Sequence, residues 1–256
     1  MTDQIVTEIQ NHIIVIRLNR ADKKNALTGE MYDGISDALE RLENDADLRV
    51  GVITGTRDCF TGGNDLADFL NNPGINETSP VGRFLRTVPN LTKPLVAAVN
   101  GPAVGIGTTL LMHCDLVYAA PNAQFQMPFA SLGLCPEAGS SLLIPQLVGY
   151  RKATELLMLC ETFDAEAART MGIVNEVVEE DRYQGHAIAK ALQLAAMPPA
   201  SIRTTKKLLR QANADQLKSI MKMEQDYFMQ MLQGPEAKEA FSAFLEKRKP
   251  DFSKFF

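Results

Sequence analysis

No Cys-x-x-Cys pair occurs in this chain, and its four cysteines, Cys59, Cys114, Cys135 and Cys160, stand far apart. Zinc-ribbon and thioredoxin-like chemistry have no spacing to build on, and reduced thiols are expected. No apolar run approaches the roughly 18 residues of a membrane span. The opening MTDQIVTEIQ has no basic stretch ahead of an apolar one, so no secretory signal is expected. The closing DFSKFF is not a peroxisomal or endoplasmic-reticulum address. Together these absences point to a cytoplasmic protein with no membrane partner. Positive charge is also scarce: 26 Lys and Arg against 31 Asp and Glu give a net charge of −5. That balance argues against a nucleic acid held through its phosphates. No Gly-x-Ser-x-Gly elbow stands out, and the histidines His12, His113 and His186 are scattered. His113 and Cys114 are neighbours on a helical stretch and point in different directions, so a structural role is expected for both. There is no internal repeat and no low-complexity segment.

What is present is a chain of 256 residues, 45% apolar and 22% charged. That length supports one large core, or a core with a smaller helical appendage. IVTEIQNHIIVIRLNR is β-branched and alternating, with QNH as a hairpin turn. In LTGEMYDGISDALERLEN the residues Met31, Ile35, Leu39 and Leu42 recur at helical spacing behind an N-cap at Thr28. RVGVITGT, KPLVAAVNGPAV and CDLVYAAPNAQFQMP read as strands, the last broken at Pro121-Asn122. GIGTTLLMHCD between them reads as a helix. This alternation predicts parallel β-α-β crossovers. Beyond residue 150 the text is helical, with a boundary near Pro198-Pro199. We read residues 1–195 as the core domain and 196–256 as a C-terminal helical module. Met221, Met223, Met229 and Met231 read as packing filler in that module.

Two loops carry glycines between a strand and a helix. CFTGGNDLADF contains Gly62 and Gly63, and NGPAVGIGTTL contains Gly105 and Gly107. Both suit close approach of backbone N–H groups to a ligand, and either alone also suits a tight turn. The glycines of GPAVGIG are out of order, and too late in the chain, for a dinucleotide fingerprint. A third stretch, SLGLCPEAGSSLLIPQLVG, holds a single carboxylate, Glu137. Pro136 and Glu137 read as a helix start, where an acid is favoured by the dipole. The functional alternative is a general base whose proton affinity is raised by apolar neighbours such as Leu134, Cys135, Ala138, Leu142 and Leu143.

Taken together, LNRADKKNAL, CFTGGNDL, KPLVAAVNGPAVGIG, CDLVYAAPNAQF and LGLCPEAGSS stand in the order and spacing of the crotonase (enoyl-CoA hydratase/isomerase) superfamily, which the chain resembles over nearly its whole length. The resemblance implies an α/β fold, a crotonase-like spiral of ββα units with a helical C-terminal module. It implies trimers or dimers of trimers, an acyl-CoA substrate, and no cofactor or metal beyond the CoA carried by that substrate. It assigns the two N–H groups of an oxyanion hole to Asn64 and Ile106. Lys24, or its neighbour Lys23, would meet CoA phosphates, and both are equally readable as solvated surface lysines. Gly62, Gly63, Asp65 and Leu66 would line the CoA path, and Phe129 the acyl pocket with Phe69, Leu85 and Val88. Asp65 is equally readable as a helix cap. Lys247, Arg248 and Lys249 would either reach a phosphate or serve as the cationic end of a helix.

One departure is informative. Hydratases of this family carry two glutamates, and Thr109 and Phe129 occupy their positions here. Glu137 instead resembles the base of the peroxisomal-type isomerases that convert 3-enoyl-CoA to 2-enoyl-CoA. The expected reaction is that isomerisation, in fatty acid β-oxidation. The alternatives are another crotonase reaction, such as hydration or thioester hydrolysis, and a non-catalytic acyl-CoA-binding protein.

Overall fold

The computed structural model describes residues 4–71, Asn76 and residues 78–255. Strands β1 (Ile5–Gln10) and β2 (Ile13–Leu18) form an antiparallel hairpin. Its two-residue turn puts Asn11 and His12 at φ 46° and 66°, the positive values a tight hairpin demands. Helix α1 (Gly29–Asn44) starts as expected, with Thr28 Oγ1 accepting the Met31 N–H at 3.3 Å. Strand β3 (Val50–Thr54), short helix α2 (Leu66–Asn71) and helix α3 (Pro80–Thr87) follow.

The next stretch departs from the reading of single long strands. KPLVAAVNGPAV divides into β4 (Leu95–Val99) and β5 (Pro102–Val104). The bend falls at Gly101, whose φ is +56°, and a Cβ there would lie 2.2 Å from the Asp58 carbonyl oxygen. Helix α4 (Ile106–Thr109) continues through a tighter turn to His113. Strands β6 (Leu116–Ala119) and β7 (Gln124–Gln126) then flank the Pro121-Asn122 turn. Helices α5 (Ser140–Val148) and α6 (Tyr150–Met158), strand β8 (Phe163–Asp164), helix α7 (Ala165–Thr170) and strand β9 (Glu176–Val177) complete the β-bearing part. Helices α8 (Tyr183–Ala196), α9 (Pro199–Gln211), α10 (Ala214–Leu232) and α11 (Pro235–Leu245) close the chain.

The main sheet runs β1-β2-β3-β4-β6-β9 and is parallel from β2 onward. A second sheet, β5-β7-β8, collects the short strand that follows each of β4 and β6. The strand periodicity of two sends alternate residues to opposite faces. Ile14, Ile16, Ile53, Leu95 and Ala97 pack with Met31, Ile35, Leu39 and Leu42 of α1. Ile13, Val15, Val52, Val96 and Ala98 pack beneath Ala187, Ala191 and Ala195 of α8. Both faces are covered, which is why these strands read as unbroken apolar runs. Each such Val, Leu, Ile or Met side chain contributes about 1.5–3 kcal/mol by burial, and each alanine less.

The C-terminal helices pack on this core. On α10 the buried residues are Glu224, Phe228 and Leu232, and Met231 packs beside them. The methionines are not one buried stripe: Met223 is 46% exposed. Among the described residues no helix is long and apolar enough to cross a membrane, and the four cysteines are free.

Candidate active site

Two loops named by the sequence are tied together by main-chain hydrogen bonds. The Thr61 N–H donates to Pro102 O and the Val104 N–H to Thr61 O, each at 3.0 Å. Gly63, at φ +89°, lies so close to β5 that a Cβ would meet the Val104 oxygen at 2.8 Å. This contact sets Asn64, which follows Gly63, and Ile106, two residues past Val104, on adjoining loops. Among the described residues neither of their N–H groups donates to a protein acceptor. Ile106 opens α4, where a free N–H and the helix dipole both favour negative charge.

The segment around Lys24 is fastened to the same loop. Buried Asn25 donates to Cys59 O at 2.8 Å and Phe60 O at 3.1 Å. The Gly62 N–H reaches Lys24 O at 2.8 Å, and the Leu27 N–H reaches Gly63 O at 2.8 Å. The side chain of Lys24 is left exposed beside Gly62. Asp65 is a cap: Oδ1 accepts the Ala67 and Asp68 N–H groups at 3.1 Å, and Oδ2 pairs with Arg20 at 2.7 Å. Its backbone N–H donates to Leu27 O at 2.9 Å. Leu66 opens α2 and packs against the core. Phe129, 6% exposed, precedes the turn leading to Leu134. Phe84 and Val88 are buried and Leu85 half-buried in the same cluster, while the side chain of Phe69 lies outside the described residues. Arg248 is engaged by Glu239 and Glu246 on α11 and its end, the helix-terminus reading.

Glu137 requires a correction. It does not begin a helix: α5 starts at Ser140, and Ala138 and Gly139 take consecutive left-handed conformations at φ 56° and 75°. A first-turn role in stabilising the dipole is therefore excluded. The residue is half-buried, yet enough protein packs around its carboxyl that desolvation dominates and pushes its pKa up to about 8. A hydrogen bond from the Thr109 hydroxyl acts in the opposite direction, and the nearby Glu224 carboxylate adds to the rise.

Four neighbours were not singled out as site residues from the sequence. Thr109 was noted only as a missing acid, but its hydroxyl donates to Glu137. The Tyr32 hydroxyl, on α1, donates to Asn64 Oδ1 and feels the charge of Glu137. Burial first, then that charge, pushes the Tyr32 pKa well above its ordinary value. His113 is buried and held near pKa 4 by desolvation, so its neutral ring donates Nε2–H to Ala138 O at 2.7 Å. Glu224 binds the loop from α10. In sequence Tyr32 is one more apolar position of an amphipathic helix and carries no signal. Glu224 did carry one: it is an acid on the stripe Leu217, Met221, Phe228, Leu232.

The family model described as enoyl-CoA hydratase/isomerase matches residues 8–254. The rat protein enoyl-CoA delta isomerase 2 is 38% identical over 226 residues, 86% of this chain; the chain spans 58% of that protein's length. The 1,2-epoxyphenylacetyl-CoA isomerase of Escherichia coli K12 is 32% identical, covering 99% of each chain. The crystal structure of an enoyl-CoA hydratase/isomerase from Pseudoalteromonas atlantica superposes with a TM-score of 0.93 at 39% identity, over 98% of this chain and 100% of that one.

Proposed function

The chain belongs to the enoyl-CoA hydratase/isomerase family, and from that premise we propose that it moves the double bond of 3-enoyl-CoA thioesters to the 2 position, with Glu137 as the one base. The Glu137 carboxylate removes a proton from C2. The C–H electron pair enters the conjugated system, and negative charge collects on the thioester oxygen. The N–H groups of Asn64 and Ile106 hold that oxygen, a contribution of about 3 kcal/mol per donor. The same carboxyl returns the proton to C4 as electrons flow back to form the C2–C3 double bond. Glu137 ends the cycle as it began, ionised.

The observation supporting this reading is the lone carboxylate. Where a hydratase would carry its two acids, this chain has the Thr109 hydroxyl bonded to Glu137 and the buried Phe129. The oxygens of Glu224 face Gly139 and Ser141 instead. In this reading Lys24 meets the CoA phosphates, and the backbone of Gly62, Gly63, Asp65 and Leu66 lines the CoA path. Residues 196–256 form a module that completes the CoA site and supports a homotrimer or a dimer of trimers. The physiological setting is fatty acid β-oxidation.

The test is an assay of a 3-enoyl-CoA series from short to long chains, followed by the absorbance of the conjugated 2-enoyl thioester. Conversion is expected. A trans-2-enoyl-CoA incubated alone should give little 3-hydroxy product; rapid hydration with no isomerisation would refute the reading.

A base with a pKa near 8 must lose its proton before it acts, so kcat/KM should rise with pH and reach half its plateau near 8. Thr109 donates to the ionised carboxyl and favours it. Thr109→Val should therefore move that rising limb alkaline by roughly one unit. A limb that stays in place would show that Thr109 does not touch the working carboxylate.

A further inference from the structure

We propose that Glu224, on helix α10, is a positioning residue for the base: it fixes the Ala138–Gly139 turn and so aims the Glu137 carboxyl into the cleft. The proposal rests on the reading of Glu137 as the base.

Two consecutive left-handed residues, one of them alanine, cost backbone energy and persist only where the surroundings hold them. The holding contacts are identifiable. Ser140 Oγ donates to Glu137 O at 2.6 Å, and His113 holds Ala138 O from beneath. The side-chain hydrogen bonds from outside the segment and the α4–His113 stretch come from Glu224, over 80 residues later in the sequence. Its Oε2 accepts the Gly139 N–H at 2.6 Å. Its Oε1 accepts the Ser141 N–H at 2.9 Å and the Ser141 hydroxyl at 2.5 Å. Helix α10 also presses directly on the turn, since a Cβ at Gly139 would lie 2.3 Å from Leu217 Cδ1 and 3.3 Å from Met221 Cγ. Glu224 itself is 5% exposed. A carboxylate so placed is costly unless every oxygen has donors, and here both do.

The charge of Glu224 has a second consequence. The titratable groups facing Glu137 are Tyr32 from α1, Cys135 on its own loop, His113 behind Ala138 and Glu224 from α10. Tyr32 is pushed well above its ordinary range, Cys135 up to about 11 and His113 down to about 4, so all three are neutral near pH 7. Burial raises the Glu224 pKa while its donors from Ser141 and Gly139 lower it. In its ionised form Glu224 presents charge to the base, and like charge raises proton affinity. Helix capping alone would account for its contacts with α5. It would not predict any effect on Glu137.

The test uses the full chain with Glu224→Gln and Glu224→Asp. Isomerase kinetics are combined with an infrared titration of the buried carboxyl band, assigned to Glu137 by its loss in Glu137→Gln. Glu224→Gln should lower kcat by roughly 10–100-fold with KM little changed, because a small misplacement of the reacting group acts on the chemical step. It should also lower the Glu137 midpoint by roughly one unit. Glu224→Asp keeps the charge but withdraws it by one methylene, so kcat should fall while the midpoint stays near the parent value. A Glu224→Gln protein that is merely less stable, with parental kcat and midpoint, overturns the proposal. If that variant does not fold, an Asp variant with parental kcat overturns it equally. Undiminished turnover in Glu137→Gln would instead sink the base assignment, and the infrared shift would still report on Glu224.

Discussion

Glu137→Gln should reduce isomerase turnover by about 10⁴-fold and leave acyl-CoA binding within a few-fold of the parent. The loss lies at the upper end for one acid–base group because the same carboxyl is asked to perform both proton transfers. Glutamine keeps the shape and can still accept the Thr109 hydroxyl, so the pocket is preserved. Turnover is read from the absorbance of the conjugated product, and binding from calorimetry with a saturated acyl-CoA. A residual rate within tenfold of the parent would remove Glu137 from the chemistry. The same variant carries a signature in stability. The folded carboxyl sits near 8, above its value in the unfolded chain. The native state thus holds a proton that the unfolded chain releases. The associated stability is fully present below the unfolded pKa and is lost as pH rises through about 8. Glutamine does not titrate, so the variant should gain on the parent across that window. For a half-buried residue the gain is of the order of 1–3 kcal/mol at pH 9 and vanishes near pH 4. Thermal melts at the two pH values measure it.

How far this site could be read from sequence follows from what each residue's neighbours look like in the chain. Glu137 was visible because it is the sole charge in an apolar stretch, and a lone acid there invites a chemical reading. Asn64 and Ile106 were named through the family resemblance, since either glycine loop alone suits a tight turn as well as a ligand. The conformation of the Glu137 segment was not reachable. Pro136 followed by an acid satisfies the local rules for a helix start, and nothing local announces that Ala138 will adopt φ 56°. That conformation is held by Glu224 and His113, whose contacts span 85 and 25 residues. The second sheet was missed for a related reason. VAAVNGPAV is apolar on both sides of Asn100-Gly101-Pro102, and the long apolar content outweighed the Gly-Pro turn signal that separates β4 from β5. The close approach of Asp58 to Gly101, which fixes that glycine in place, is a tertiary fact. The hairpin, α1 and its Thr28 cap were legible because their determinants are neighbours in the chain.

The second large effect concerns stability rather than chemistry. Lys206→Met is expected to destabilise the fold by about 3 kcal/mol. Lys206, on α9, is 6% exposed and donates to Asp115 Oδ2 and Lys93 O, both at 2.7 Å. Asp115 also accepts the Leu95 N–H at 2.8 Å and Arg210 at 3.2 Å. One carboxylate thus joins the start of β4, the start of β6 and helix α9. Methionine fills the space of the lysine stem but strands the Lys93 carbonyl and leaves the Asp115 charge to Arg210 and the Leu95 N–H. Losing one partner of a buried pair costs more than the pair is worth, because the remaining charge must stay desolvated. Arg210 and the partial exposure of Asp115 keep the cost below the upper end of that range. Denaturant unfolding should show a lower midpoint with an unchanged slope. A double-mutant cycle with Asp115→Asn distinguishes the pair from simple packing. If the ion pair carries the effect, the double variant loses markedly less than the sum of the two single losses. Additive losses would assign the stability to the methylene stem of Lys206 instead. Arg210 also donates to His113 O at 2.6 Å, and His113 supports Ala138 O. The network therefore ends one residue from Glu137, and Lys206→Met should lower kcat as well as stability.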